Sequence, residues 1–151
     1  MIDQTVFLSG SEMSILKTSI HLAAPSDAFY LAQLSEKTFT DAFAQLNQKE
    51  DFENYVARSF TENQILLEIL DKASTFFIAK LKDQWIGYAK LCLSHPPECV
   101  KQLPSIELSR LYSMQEYLGL GIGPALMNAC TEFARNKGCK SIWLGSWKKN
   151  H

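Results

Sequence analysis

Three glycines at alternate positions, Gly119, Gly121 and Gly123, stand between a strand-like run and the clearest helical pattern in this 151-residue chain. Ile122, Ala125, Leu126, Ala129, Cys130 and Phe133 keep the i, i+3, i+4, i+7 spacing of an amphipathic helix. Pro124 suits the first turn of that helix, and Gly138, after Lys137, suits its C-terminal cap. Ser105 to Ser113 before the glycines and Lys140 to Gly145 after the helix read as strands, and strands joined through a helix pair in parallel. A glycine turn feeding a helix start leaves backbone N–H groups unpaired at the positive end of the helix dipole. Such a turn is an anion site, most plausibly for a pyrophosphate.

The rest of the chain must build the scaffold for that unit. A length of 151 residues gives one domain with a real core, residues 1–12 reading as a loosely held arm. Hydrophobic content of 46%, charged content of 21% and a net charge of -1 fit a soluble protein and call for no nucleic acid. No basic residue precedes Lys17 and the first apolar run is only Val6-Phe7-Leu8, so neither a signal peptide nor a spanning helix is indicated and the expected location is cytoplasmic. Cys92, Cys99, Cys130 and Cys139 form no CxxC pair and have no His cluster, so no metal site or disulfide framework is expected.

In chain order, Met13 to His21 reads as a strand, and Ser26 as the N-cap of a helix from about Asp27 to Thr38. Phe39 to Asn47 fits helix or ordered loop equally well. Asp51 to Ser59 reads as helical, and Thr61-Glu62-Asn63-Gln64 as a capping box opening a helix with Ile65, Leu66, Ile69 and Leu70 on its inner face. Two aromatic and branched runs, Thr75 to Lys80 and Gln84 to Leu93, make a hairpin about Leu81-Lys82-Asp83 and end at His95-Pro96-Pro97. Glu98 to Pro104 is then a loop.

Two nucleotide folds fit the glycines poorly. A dinucleotide turn wants GxGxxG with an acid about 20 residues on, whereas here the third glycine comes one place early and Lys140 and Ser141 stand where the acid would be. A P-loop wants Gly-Lys-Ser/Thr, and this chain has Gly-Pro-Ala. Residues 107–127, Glu-Leu-Ser-Arg-Leu-Tyr-Ser-Met-Gln-Glu-Tyr-Leu-Gly-Leu-Gly-Ile-Gly-Pro-Ala-Leu-Met, instead resemble the acetyl-CoA-binding motif of the GNAT N-acyltransferase superfamily. In that family the turn reads Gln/Arg-Gly-x-Gly-x-Gly/Ala after a Leu-Tyr-Val-like strand end; here Ser113 replaces Val and Leu118 replaces Gln/Arg. Trp147-Lys148-Lys149-Asn150 is similar to the Trp-x-x-Asn of bacterial spermidine/spermine-type acetyltransferases. In those relatives a further helix and strand follow, and this sequence stops at His151.

The resemblance implies an α/β fold: a mixed, mostly antiparallel sheet with a central parallel strand pair, flanked by helices and lacking its C-terminal part. It implies acetyl-CoA as cosubstrate, with no metal, and an N-acetyltransferase acting on the primary amine of a small molecule, a polyamine among the candidates. A catalytically silent acyl-CoA-binding or assembly module and a peptide or protein N-acetyltransferase are the alternatives. The cofactor contacts it implies are Leu111, Tyr112, Ser113, Leu118, Gly119, Leu120, Gly121, Ile122, Gly123 and Asn150. Glu107 is the candidate base, since an alkyl ammonium with a pKa of about 10.4 must lose a proton before attack. By simple alternation Glu107 shares a face with Ser109, Leu111 and Ser113. Tyr112 and Tyr117 are the available substitutes for the family's thiolate-protonating Tyr. Residues 36–71 hold eight acids against three bases, a charge that would favour a cationic acceptor if it lined the cleft. An apolar strand at Lys140 to Gly145 left as a sheet edge is expected either to mark a truncated product or to be covered by a second copy, as a homodimer.

Overall fold

The computed structural model describes residues 18–43, 49–93 and 104–144. Its strands β1 (Thr18–Leu22), β2 (Ser74–Leu81), β3 (Gln84–Cys92), β4 (Ser105–Ser113) and β5 (Ser141–Leu144) form one sheet in chain order. The first four are antiparallel neighbours, and β5 runs parallel to β4. Four helices flank the sheet: α1 (Ala28–Phe43), α2 (Lys49–Ser59), α3 (Glu62–Leu70) and α4 (Ile122–Asn136).

Two apolar layers sandwich the sheet. On one face Leu31 and Phe39 of α1, Phe52 of α2 and Ile65 of α3 meet Phe76, Ile78 and Tyr88. On the other, Ile122, Leu126, Cys130 and Ala134 of α4 meet Ala79, Ile86, Ala89, Leu91, Ile106 and Leu108. Burial on both faces explains why Phe76-Phe77-Ile78-Ala79 is a continuous apolar run rather than an alternating one. The spacing of α4 puts its buried residues on one stripe, and Gly138, at φ 82°, ends it with bonds from Gly138 N–H to Arg135 O (3.0 Å) and Cys139 N–H to Ala134 O (2.9 Å).

Several local expectations are corrected. Ser26 is not the cap: Pro25–Asp27 form a 3-10 turn, and the Asp27 carboxylate accepts the Ala24 N–H at 2.8 Å before α1 begins at Ala28. Helix α1 continues past Thr38 to Phe43, because Phe39 and Phe43 pack on the core side with ring centroids 4.8 Å apart and planes tilted by 46°. The first strand is described from Thr18 only; residues 1–17, 44–48, 94–103 and 145–151, with the expected arm, Cys99 and Asn150 among them, lie outside the described residues. Thr61 caps α3 as expected, accepting the Gln64 N–H at 3.0 Å, but Leu70 is 56% exposed and not on the inner face. The hairpin turn is the two residues Lys82-Asp83, with Lys82 left-handed at φ 57°.

Candidate active site

Strand β4 is paired with β5 from Ser105 to Leu108, which align with Ser141 to Leu144, the last described residue of β5. Ser109 to Ser113 have no β5 neighbour among the described residues, and this end of β4 leads into the glycine turn. Met114 donates to Ile86 O at 2.8 Å, a 3-10 turn spans Gln115–Tyr117, and the chain then enters α4 through Leu118 to Gly121.

Gly119 and Gly121 take φ 87° and 81°, a conformation glycine adopts without a Cβ clash. Left-handed residues next to a helix start turn successive N–H groups toward one point. Among the described residues the amides of Gly119, Leu120, Gly121, Ile122 and Gly123 meet no backbone carbonyl, whereas Ala125 donates to Gly121 O at 3.1 Å. A Cβ at Gly119 or Gly123 would meet no atom within 4 Å, so the space over the turn is open. Amide donors, the helix dipole and an open cradle are what a pyrophosphate requires, and the residues fit that group. Leu118 is 62% exposed and brings no polar side chain to the turn.

Behind the turn, Gly87 of β3 is a packing necessity that the sequence pattern did not mark. A Cβ there would lie 2.9 Å from Tyr112 O and 3.0 Å from Ile122 Cγ2, so glycine lets β3, β4 and the start of α4 close on one another.

The expected alternation along β4 fails at one point. Lys90 pairs with Arg110 and Leu91 with Leu108, so Ser109 is an extra residue, its hydroxyl 3.3 Å from Lys90 O. A bulge shifts the side chains that follow it to the opposite face. Leu108 and Leu111 therefore both face α4, and Glu107 shares its face with Arg110 and Tyr112, not with Leu111. That face looks toward α1, α2 and α3, and Glu107 sits on it in register with Trp143 of β5.

A charged cluster closes this face, and neither motif nor spacing pointed to it. Glu68 of α3 lies 3.1 Å from Lys90 Nζ and 3.1 Å from Arg110 Nη1, and accepts the Gln64 side-chain N–H at 3.0 Å. Burial works to raise its carboxyl, but Arg110, Gln64 and Lys90 together hold it below the usual glutamate value. Arg110 Nη1, despite its 3.1 Å approach, is not aligned for a hydrogen bond. Burial foremost, with the neighbouring Tyr88, pushes the Tyr112 hydroxyl up to about 12, so it stays protonated at neutral pH. Tyr117 is half-buried and packs against both apolar layers.

No group of three or more His, Cys, Asp or Glu that could hold a metal occurs among the described residues, and no described helix is long and apolar enough to cross a membrane.

Comparison with known proteins places this arrangement. The profile described as the Acetyltransferase (GNAT) family matches residues 29–151. An uncharacterized N-acetyltransferase of Lactobacillus delbrueckii subsp. lactis is 26% identical over 117 residues, covering 78% of this chain and 68% of the relative. The crystal structure of the PaiA N-acetyltransferase from Thermoplasma acidophilum in complex with coenzyme A superposes with a TM-score of 0.75 at 20% identity, covering 89% of this chain and 82% of that one. An aminoglycoside acetyltransferase from an uncultured soil metagenomic sample, in complex with sisomicin, gives a TM-score of 0.65 at 17% identity over 88% of this chain and 80% of that one.

Proposed function

Because the chain belongs to the Acetyltransferase (GNAT) family, we propose that it moves the acetyl group of acetyl-CoA to the primary amine of a small molecule, with the cofactor seated at the glycine turn beside the C-terminal end of β4. The observation that carries this reading is the glycine turn, left-handed at Gly119 and Gly121, that joins β4 to the start of α4. Amides of Gly119 to Gly123 would hold the pyrophosphate, and the edge of Leu111 to Ser113, without a strand partner among the described residues, would pair with the amide-bearing arm of the coenzyme and present N–H groups to the oxyanion. Bound acetyl-CoA supplies an activated thioester carbonyl. Asn150 is assigned a further cofactor contact on the strength of sequence resemblance alone.

Glu107 is assigned the role of base. Strand residues rise about 3.3 Å each, so Glu107 lies too far from the Leu111 to Ser113 edge for direct transfer and would act through water. Tyr112, protonated at working pH, is the available donor to the leaving thiolate. The polyamine expected from the acidic 36–71 segment finds limited support: Asp41 is held by Lys37 at 3.0 Å, Asp71 accepts the Ala73 N–H at 3.0 Å, and Glu68 serves Lys90 and Arg110. Association through the β5 edge, where Leu144 is 67% exposed, is proposed with it; a mass that stays monomeric at high concentration in light scattering would count against it.

The reading is tested by following free-thiol release from acetyl-CoA over a panel of amines and peptides, beside calorimetric titration of coenzyme A. Amine-dependent release with saturable binding is expected. Binding without release would mark a silent acyl-CoA-binding module, release with peptides alone a protein N-acetyltransferase, and absence of binding would remove both the transferase and the silent module.

A further inference from the structure

The glycine turn is anchored at both ends by backbone hydrogen bonds. Met114 donates to Ile86 O at 2.8 Å on the β4 side, and Ala125 donates to Gly121 O at 3.1 Å on the α4 side. Between them little fixes the chain locally. Leu118 is 62% exposed, a Cβ at Gly119 would meet no atom within 4 Å, and glycine loses more conformational freedom on ordering than any other residue. Amides bind an anion well only when they are already aimed before it arrives, so the residues leading into the turn must keep one position.

Helix α1 supplies that position. The Gln115 side-chain amide donates to the Asp41 carbonyl at 3.2 Å, and Glu116 lies 3.3 Å from Lys37 Nζ, which also donates to the Asp41 carboxylate at 3.0 Å. Among the described residues these are the polar side-chain contacts that tie the 3-10 turn Gln115–Tyr117 to another element. Within the segment Tyr117 donates to Met114 O at 3.0 Å and Leu118 to Gln115 O at 3.2 Å, so the placement of the 3-10 turn carries directly into Gly119. Packing of Tyr117 against both apolar layers holds the turn down without direction, and the hydrogen bond and ion pair to α1 orient it. Each tie is modest alone, since the side chains of Lys37 and Glu116 are 41% and 56% exposed, but Asp41 joins them into one connected set.

On the acetyl-transfer reading given above, we infer that Lys37, Asp41, Gln115 and Glu116 are positioning residues for the coenzyme. Their clasp from α1 to the 3-10 turn preorganises the amides that receive the pyrophosphate, and it acts through the turn rather than by contact with the cofactor.

Glu116→Gln separates orientation from charge. It removes a negative charge beside an anion site, so the field alone would tighten coenzyme A, whereas loss of the clasp weakens it. Calorimetric titration of coenzyme A into Glu116→Gln and into Gln115→Ala is expected to show affinity weakened ~3-fold in each, and ~10-fold in the double variant. In thiol release at saturating amine, KM for acetyl-CoA should rise in step while kcat stays within about twofold. Adding Glu116→Gln to Lys37→Met should weaken binding no further than Lys37→Met alone, because that pair is already broken. Unchanged affinity in either single variant, or tighter binding by Glu116→Gln, would overturn the inference. A lower thermal midpoint with unchanged affinity would do the same, as the mark of a merely structural contact. Weakened binding in the variants with no thiol release from the wild type would leave the clasp standing and sink the transfer reading instead. Failure of the wild type to bind coenzyme A would remove both.

Discussion

A Cβ at Gly123 would meet no atom within 4 Å and would point into the open space over the first turn of α4. Gly123→Val is therefore expected to leave the thermal midpoint within about 2 °C, since a substitution without contacts changes stability by roughly 0.5 kcal/mol or less. It should weaken coenzyme A at least tenfold, about 1.4 kcal/mol, by filling the cradle. Gly121 separates from it, because its φ of 81° penalises any Cβ by about 1–2 kcal/mol, so Gly121→Ala should lower the melting temperature by several degrees as well as the affinity. Glu107→Gln keeps the shape of the side chain and removes the base. A loss of about 100-fold in kcat/KM for the amine, with KM for acetyl-CoA unchanged, is expected from steady-state kinetics; an unchanged rate would reduce Glu107 to a structural carboxylate. Gly119 and Gly121 were legible because the positive φ they adopt disfavours most other residues. Glu107 was legible only as a position in a resemblance, and its true face was not, since the bulge at Ser109 reverses the alternation that sequence reading assumes.

Among the elements, α3 and β4 depend on each other through one carboxylate. Glu68 is half-buried and faces two cations, so Glu68→Gln leaves Lys90 and Arg110 uncompensated and should cost about 3 kcal/mol at neutral pH. The pH dependence has a definite sign. A carboxyl held lower in the folded state than in the unfolded one stabilises fully above the ordinary glutamate value of about 4.3, and that contribution is lost as pH falls through the folded value. Thermal melts from pH 6 to pH 3 should therefore fall more steeply for the wild type than for Glu68→Gln, and parallel curves would contradict the assignment. Gly87→Ala forces a Cβ to within 3.0 Å of Tyr112 O and Ile122 Cγ2, and a loss of about 1–3 kcal/mol in denaturant unfolding is expected. Helix α4 was readable in full because its apolar spacing, Pro124 and Gly138 all agree. The Glu68 clasp was not, for it joins residues 22 and 42 positions apart that no local period relates.

For the molecule as a whole, the antiparallel sheet ending in a parallel β4–β5 pair gives an acetyl-CoA-dependent N-acetyltransferase a strand that runs through a glycine turn into a helix N-terminus. Strand types and helix existence followed from composition and period. Order in the sheet beyond the hairpin and the parallel β4–β5 pair did not, because pairing is decided by distant partners, and it came only through likeness to a known family. The most direct measurement is a calorimetric titration of acetyl-CoA into the wild-type chain and into Gly123→Val under the same conditions. Saturable one-to-one binding to the wild type, weakened at least tenfold in the folded variant, is the expected result. No binding to the wild type, or equal binding to both proteins, would contradict a coenzyme site at the glycine turn.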